Sequence, residues 1–259
     1  MLQKNAPIGI FDSGAGGISV LRTALRLLPE ESFLYYGDTG NAPYGTKPEE
    51  QVTVLAERVT DFLLEKNIKA LVIACNTATC AAAAYLRAKH PDLIIIGMEP
   101  ALKLAHDLRP EGDILVLATP VSLSSSKYQL LSSQYGEHAT SVPCPGLMDF
   151  VEKGDTQSDE LKAYLRGKLA PYLKKDRAPA AVVLGCTHYV FLRQTIQSLL
   201  PKETLVLDGN EGTVRQLKRR LMQQNLLFDG PAAKPRVQFF TSGSEEALTL
   251  MHTLLRLSE

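Results

Sequence analysis

The chain has 259 residues, of which 45% are hydrophobic, with 28 Lys and Arg against 28 Asp and Glu. A chain of this length buries about three quarters of its unfolded surface, so its core needs neither disulfides nor metals. The charged share of 22% with no net charge excludes intrinsic disorder and weakens the case for a nucleic-acid or acidic-membrane partner. The length fits one large domain or two modest ones.

The sequence does not suggest export or membrane insertion. No apolar run approaches the ~18–20 residues that a bilayer crossing needs. The opening MLQKNAP lacks the apolar centre of a signal peptide. We therefore expect a cytoplasmic protein with no membrane partner. Its four cysteines are then reduced thiols: Cys75, Cys80, Cys144 and Cys186.

Short β-branched runs alternate with longer amphipathic stretches, which predicts an α/β fold with mostly parallel sheets. The predicted strands are 8–11, 33–37, 70–74, 93–97, 114–118, 138–143, 181–185 and 204–208, with a last strand in VQFFTSG at 237–243. The predicted helices have apolar residues at every third or fourth position and include 18–28, 49–66, 159–175, 211–227 and 244–257.

The sequence contains a faint internal duplication. ALVIACNTAT at 70–79 matches AVVLGCTHYV at 181–190 with an offset of 181 − 70 = 111 residues. The other predicted strands repeat in the same order: Ile8 to Ile114 is 106, Leu34 to Ala139 is 105 and Leu93 to Thr204 is 111. This order predicts two pseudo-symmetric α/β domains. We assign 99–208 to the second domain, and 1–98 completed by the C-terminal tail 209–259 to the first.

Open parallel sheets bind ligands at the carboxyl ends of their strands. Two related domains with these ends facing each other would enclose a cleft, which we expect to hold the active site. Residues at or just past the predicted strand ends would line this interdomain cleft: Asp12, Ser13, Asp38, Thr39, Cys75, Asn76, Thr77 and Glu99 from the first half, and Thr119, Cys186, Thr187, His188 and Asp208 from the second.

Two of these residues, Cys75 and Cys186, are equivalent by the duplication, and each precedes a candidate helix start. Backbone N–H groups at a helix start favour a thiolate. Thiols on opposite walls of a cleft suggest that one thiolate removes a proton from a carbon while the other thiol returns one to the opposite face. That reaction inverts a stereocentre without a cofactor or a metal. Asp12 and His188 are the candidate helpers, one in each half.

Other chemistries fit the sequence less well. A zinc site would require a CxxC pair or a second histidine at ligand spacing, and a serine hydrolase would require a GxSxG elbow, and we find neither. The glycine-rich DSGAGG at 12–17 has Ser19 where a dinucleotide fingerprint needs its third glycine. It is better interpreted as a loop whose amides hold a small anion. Cys80 and Cys144 lack the context of the other two thiols and are interpreted as structural.

The motifs FDSGAGG, GDTGNAPYG, ACNTAT and LGCTHYV, in this order and spacing, resemble the glutamate racemases of the cofactor-independent aspartate/glutamate racemase superfamily. The resemblance covers almost the whole chain. It implies two α/β domains of like topology with the active site between them, and no cofactor. It also implies that Cys75 acts as the base on the D enantiomer and Cys186 on the L enantiomer.

Further site residues follow only from this resemblance. Asp12 and His188 match positions that support the thiols, and Asp38 and Glu152 match further acidic residues. The segment around Thr119, LATPVS, departs from the Gly-Thr step of the family. The residues that match substrate-holding positions are Asp12, Ser13, Pro43, Tyr44, Gly45, Asn76, Thr77, Thr119, Thr187 and His188.

The expected substrate is therefore glutamate, and its D enantiomer would feed peptidoglycan synthesis in a bacterial cytoplasm. Members of this family often associate, so a homodimer is among the expectations. Only seven residues precede Ile8, so we do not expect control by a cell-wall precursor through an N-terminal extension. Two alternatives stay open: an aspartate or other amino-acid racemase of the same superfamily, and a non-catalytic protein that binds a small dicarboxylate.

Overall fold

The computed structural model of the chain describes residues 3–173, 178–230 and 237–257. Its contacts divide the chain into two compact units, Met1–Met98 with Asn210–Glu259 and Glu99–Gly209. Each unit has a parallel sheet with helices, which confirms the predicted α/β class. Within the described ranges, no helix combines the length and the apolar character needed to cross a bilayer.

The elements follow one another along the chain as alternating strands and helices. The strands are β1 (Ile8–Asp12), β2 (Phe33–Gly37), β3 (Ala70–Ile73), β4 (Ile94–Gly97), β5 (Ile114–Ala118), β6 (Ala139–Pro143), β7 (Ala181–Leu184), β8 (Leu205–Asp208) and β9 (Val237–Thr241). The helices are α1 (Ile18–Leu27), α2 (Glu49–Glu65), α3 (Asn76–Lys89), α4 (Leu102–Leu108), α5 (Pro120–Ser124), α6 (Ser126–Tyr135), α7 (Leu147–Glu152), α8 (Asp159–Leu169), α9 (Arg193–Ser198), α10 (Asn210–Gln223) and α11 (Glu245–Arg256).

The first unit is built on a five-stranded sheet in the order β4-β3-β1-β2-β9. Strands β1 and β3 are buried along their whole length because helices cover both faces of the sheet, as in other parallel sheets. One large apolar cluster joins Ile73 of β3 to Leu63 of α2 and Leu86 of α3. Burying each such side chain contributes roughly 1.5–3 kcal/mol. This core fixes the end of β3, where Cys75 follows.

The second unit has a four-stranded parallel sheet in the order β6-β5-β7-β8. Its apolar cluster joins Val116 of β5 and Val183 of β7 to Leu102 and Ala105 of α4 and Tyr128 of α6. Strands β5 and β7 are buried at every position, so the chain leaves β7 next to a rigid core. Cys186 lies just past that strand.

The two sheets have equivalent strand orders and registers. In the first unit Ile8 pairs with Phe33, and in the second Ile114 pairs with Ala139. The first unit's β2 and the second unit's β6 are therefore offset by 139 − 33 = 106 residues. The sequence-based alignment of Leu34 with Ala139 was wrong by one residue, because alternating small and apolar residues do not fix the register of an exposed edge strand. Strand β9 extends only the first sheet.

The predicted element boundaries differ from the structure mainly at helix ends. The first eight strands start and end within one residue of their predicted limits, and the last strand ends at Thr241 instead of 243. The helix predicted at 159–175 ends at Leu169 and continues as a 3₁₀ turn over Ala170–Tyr172, because Pro171 has no N–H to extend the α-helical hydrogen bonds. Its last two predicted residues, Lys174 and Lys175, lie outside the described residues. The helix predicted at 211–227 ends at Gln223, just before Asn225 takes a left-handed φ of 54°.

Candidate active site

In the first unit, Cys75 caps the N-terminus of α3. The backbone N–H of Ala78 donates a hydrogen bond to Cys75 Sγ over 3.4 Å. The thiol also lies 3.5 Å from Ser13 Oγ, and Ser13 donates to Asp12 Oδ1 at 3.0 Å. All three side chains are buried. The amide and the positive end of the 14-residue helix favour a thiolate at Cys75.

Two residues predicted to hold substrate, Asn76 and Thr77, form the first turn of the same helix and are buried. The side-chain carbonyl oxygen Oδ1 of Asn76 has no hydrogen-bond partner within the part of the chain that the structure describes. A buried acceptor without a partner costs free energy that a donor group of a ligand can recover. Asn76 therefore offers a buried acceptor on the residue that follows Cys75.

Past the end of β2, Asp38 connects several side chains. Tyr44 donates its hydroxyl to Asp38 Oδ2 at 2.5 Å, and Asn41 Nδ2 donates to Oδ1 at 2.9 Å. Tyr44 begins a short 3₁₀ turn that is capped by Pro43 and contains Gly45. Burial, and then the hydrogen bond to Asp38, raise the pKa of Tyr44 far above its usual 10.0. Its hydroxyl therefore stays protonated.

The second unit places Cys186 next to a buried histidine. Cys186 Sγ lies 3.7 Å from His188 Nδ1, and His188 Nε2 lies 2.6 Å from Glu152 Oε1 at the end of α7. His188 is only 1% exposed. Thr187 and His188 are in a 3₁₀ segment, Thr187–Leu192, instead of the α-helix start that follows Cys75. Cys186 is thus followed by a tighter 3₁₀ segment and not by the α-helix start that the sequence suggested.

The pKa of His188 is raised well above its usual 6.5. Burial alone would lower it, but the hydrogen bonds to Cys186 and Glu152 outweigh burial. A protonated imidazole can donate from both ring nitrogens, so it can serve the carboxylate and the thiol together. His188 thus links Cys186 to Glu152, an arrangement different from the helix start at Cys75.

Two further residues of the second unit lie near strand ends. Thr119 caps α5, where its hydroxyl donates to Ser122 Oγ at 2.9 Å. It therefore keeps a polar side chain at the end of β5 although the surrounding LATPVS departs from the expected pattern. Cys144 is buried, and burial raises its pKa to about 12, with small opposing effects from Lys168 and Cys186. Cys144 is thus a neutral thiol.

The register identifies equivalent positions in the two units. Asp38 and Cys144 each donate a backbone N–H to the last residue of the neighbouring strand, Asp12 and Ala118 respectively. By the same offsets, Ser13 corresponds to Thr119, since 119 − 13 = 106, and Thr77 corresponds to His188, since 188 − 77 = 111. The thiols are therefore equivalent, whereas the acid–base groups that support them differ.

The contacts bring the predicted site residues together in three groups: Asp12, Ser13 and Cys75; Asp38 and Tyr44; and Cys186, His188 and Glu152. Sequence analysis missed Asn41 and Ser242, which also bind Asp38. Asn41 could have been found within the GDTGN loop, but Ser242 lies 204 residues away along the chain. Across the described ranges, no cluster of three or more His, Cys, Asp or Glu is arranged to hold a metal ion.

Each of the two α/β units has a thiol just past a strand end and an acidic side chain in the hydrogen-bond network beside it. The chain belongs to the Asp/Glu/Hydantoin racemase family, whose pattern matches residues 16–217. It is accordingly an isomerase.

Named relatives and solved structures agree with this family. A glutamate racemase from Clostridium perfringens is 49% identical over 225 residues, which cover 86% of each chain. The crystal structure of a glutamate racemase isoform from Bacillus anthracis matches with a TM-score of 0.85 at 31% identity, covering 98% of this chain and 94% of the other. A glutamate racemase from Francisella tularensis, crystallised with D-glutamate, matches with a TM-score of 0.83 at 25% identity, covering 98% and 95%.

Proposed function

We propose that this chain interconverts L-glutamate and D-glutamate without a cofactor, using Cys75 and Cys186 as two bases that act on one bound substrate. The names of its relatives support glutamate as the substrate, and the Francisella tularensis enzyme was crystallised with D-glutamate. We further propose that it works in a bacterial cytoplasm, where its product supplies peptidoglycan synthesis.

In the proposed reaction, a thiolate on one face of the substrate removes the α-proton, and the electron pair of that C–H bond remains on the carbanion. The neutral thiol on the opposite face then donates its proton to the same carbon. The first thiolate has become a thiol and the second thiol a thiolate, so the charges balance and no electrons leave the site. Cys75 starts the reaction from D-glutamate and Cys186 starts it from L-glutamate.

The observation that carries this proposal is that each of the two equivalent thiols lies against its own polar partners. Cys75 Sγ accepts from the Ala78 amide at 3.4 Å and, as a thiol, donates to Ser13 Oγ at 3.5 Å. Cys186 has the imidazole of His188 at 3.7 Å, which is itself hydrogen-bonded to Glu152. A protein that only binds a dicarboxylate needs no such pair of supported thiols. An isomerase that works on both faces of a carbon needs two.

Other residues are proposed to hold the substrate. The unpartnered Oδ1 of Asn76 is suited to accept a hydrogen bond from the substrate ammonium group, and backbone amides at the start of α3 are suited to its carboxylate. Burial and Asp38 keep Tyr44 protonated, and its one hydroxyl proton is donated to Asp38. Tyr44 could donate to a substrate carboxylate only if it released Asp38, so its proposed contribution is to the position of the substrate and the shape of the site. Ser13, Thr77, Thr119 and Thr187 complete the proposed contacts.

The proposal is tested with Cys75→Ser and Cys186→Ser, each incubated with L- or D-glutamate in deuterated water. Both variants should lose racemisation by about 10²–10⁴-fold, the usual contribution of a general acid or base. Cys186→Ser should still exchange the α-proton of D-glutamate, and Cys75→Ser that of L-glutamate, because each retains one base.

Cys80→Ser is the matched control, since Cys80 is another thiol on α3. It should racemise glutamate at the wild-type rate. Racemisation by both active-site variants at that rate would overturn the two-base mechanism. A wild-type enzyme that racemises aspartate faster than glutamate would overturn the substrate assignment. Saturable glutamate binding without any α-proton exchange would indicate a binding protein.

A further inference from the structure

The chain segment after β9 lies against the loop that follows β2. Thr241 donates its hydroxyl to the carbonyl oxygen of Gly37 at 2.8 Å, so in its 2.7 Å contact with Thr39 it must be the acceptor. Ser242 Oγ accepts from the backbone N–H of Gly40 at 3.0 Å. Two consecutive hydroxyls of the tail therefore bind the loop that carries Asp38.

The close approach of the two segments depends on glycine. A Cβ atom at Gly40 would lie 2.6 Å from the backbone oxygen of Ser242, and one at Gly243 would lie 2.1 Å from Thr39 Oγ1. Both distances are shorter than any real Cβ contact, and the first involves backbone, which cannot move aside cheaply. The contact is thus a packed one, with room for no other residue type at these two positions.

Ser242 also reaches the carboxylate of Asp38. Its hydroxyl donates to Asp38 Oδ1 at 2.5 Å, while Tyr44 donates to the other oxygen, Oδ2, also at 2.5 Å. Asp38 is 2% exposed and Tyr44 is 1% exposed, whereas Ser242 lies at the surface. A buried carboxylate held by short hydrogen bonds at both oxygens has one fixed orientation. The orientation of Asp38 in turn fixes the hydroxyl of Tyr44.

The second unit has no counterpart to this arrangement among its described residues. Its sheet has four strands, and Cys144 stands at the position that corresponds to Asp38. The tail strand and the carboxylate therefore occur together, in the same unit, beside the predicted substrate-holding turn at Tyr44. Their joint occurrence indicates that the tail does more than extend the sheet.

We propose that Ser242 is a positioning residue of the active site, which acts through Asp38 to set the orientation of Tyr44 against the substrate. This inference rests on the proposed function, in which Tyr44 helps to position glutamate. Ser242 touches neither the substrate nor a thiol. Its effect should therefore appear in substrate binding and leave the proton-transfer step unchanged.

The test is Ser242→Ala, a change at a surface position that removes the hydrogen bond to Asp38 and also the acceptor of the Gly40 N–H. The KM for both glutamate enantiomers should rise between about 2- and 10-fold, the range for loss of one such bond, with kcat within twofold of wild type. Ser242→Thr keeps the hydroxyl and should restore KM. The matched control is Thr249→Ala, since this exposed hydroxyl of α11 donates to the carbonyl of Glu245 in its own helix.

A second variant separates positioning from general destabilisation. In a Tyr44→Phe background, Ser242→Ala should cause no further rise in KM, because the hydroxyl that it orients is absent. Additive effects, or a Ser242→Ala enzyme with wild-type KM, would overturn the inference while wild-type racemisation still supports the proposed function. If the wild type does not racemise glutamate, the proposed function fails. The positioning of Asp38 and Tyr44 by Ser242 is then tested by amide hydrogen exchange of segment 38–46. Unchanged exchange in Ser242→Ala then refutes it, and faster exchange than in Thr249→Ala supports it.

Discussion

The hydrogen bond between Glu152 and His188 offers a sharp test of how Cys186 is supported. Glu152→Gln keeps the shape of the side chain and removes its charge. In the structure, Oε1 lies 2.6 Å from Nε2 of an imidazole that is 1% exposed, so solvent cannot replace the lost interaction. A hydrogen bond to a charged group contributes about 1.5–3 kcal/mol, which corresponds to roughly a 10- to 150-fold loss if it acts fully in the transition state.

We therefore expect kcat/KM for glutamate to fall by roughly 10- to 150-fold in Glu152→Gln. The fall must be equal for both enantiomers, because they have equal free energy in solution. Without the carboxylate, the pKa of His188 drops, so the imidazolium is lost at a lower pH. The alkaline limb of the profile of kcat/KM against pH should move toward lower pH. Polarimetry across a pH series measures both effects.

The same variant makes a prediction about stability. The folded-state pKa of His188 is raised above its usual 6.5, so the contribution of this ion pair to the free energy of unfolding is complete below that pH. It is lost as the pH rises through the folded-state pKa. The stability gap between wild type and Glu152→Gln should therefore narrow in alkaline buffer. Exposed Glu137 provides the control variant Glu137→Gln. An unshifted pH profile with kcat/KM within twofold of wild type would refute the reasoning.

Two further predictions concern groups outside the proposed chemistry. Lys69→Met leaves Glu31 buried without the ammonium group that lies 2.6 Å from it, so the free energy of unfolding measured with denaturant should fall by about 3–5 kcal/mol while kcat/KM is unchanged. The control is Lys89→Met, which breaks an exposed ion pair with Glu57 and should change the free energy of unfolding little. Equal losses of stability in the two variants would contradict the prediction. Cys144→Ala should racemise within twofold of wild type, and iodoacetamide at pH 8 should leave Cys144 unlabelled by mass spectrometry, because burial raises its pKa to about 12. Rapid labelling would show that the thiol is accessible.

The strands could be predicted closely because each is a short β-branched run bounded by turn residues. These runs do not indicate which strands pair with each other in the sheet. Strand β9 was predicted as a strand, but its place beside β2 depends on contacts between residues about 200 positions apart, such as Phe33 with Val237. Helix ends were less predictable, since the amphipathic pattern of α10 continues past Gln223 while the backbone turns at Asn225.

The site residues that follow strands could be found because a parallel sheet brings the carboxyl ends of its strands to one edge. Residues that support these groups from distant parts of the chain could not be found in this way. Glu152 entered only through a family resemblance, and its bond to His188 spans 36 residues. Ser242 was not among the predicted site residues, because a serine in a tail segment belongs to no pattern that indicates a contact with Asp38. Periodicity identifies which face of an element is buried, but it does not identify its polar partner on another element.

The equivalent thiols and their unequal surroundings have a consequence for the reaction. One half supports its thiol with Ser13, Asp12 and a helix start, and the other with His188 and Glu152. The ratio kcat/KM must still be the same in both directions, since the free enantiomers have equal free energy. Unequal surroundings can therefore make the two directions differ in kcat only if they differ in KM by the same factor. We expect the enantiomer with the higher KM to show the higher kcat, and a change to either half to alter kcat/KM by the same factor for both enantiomers.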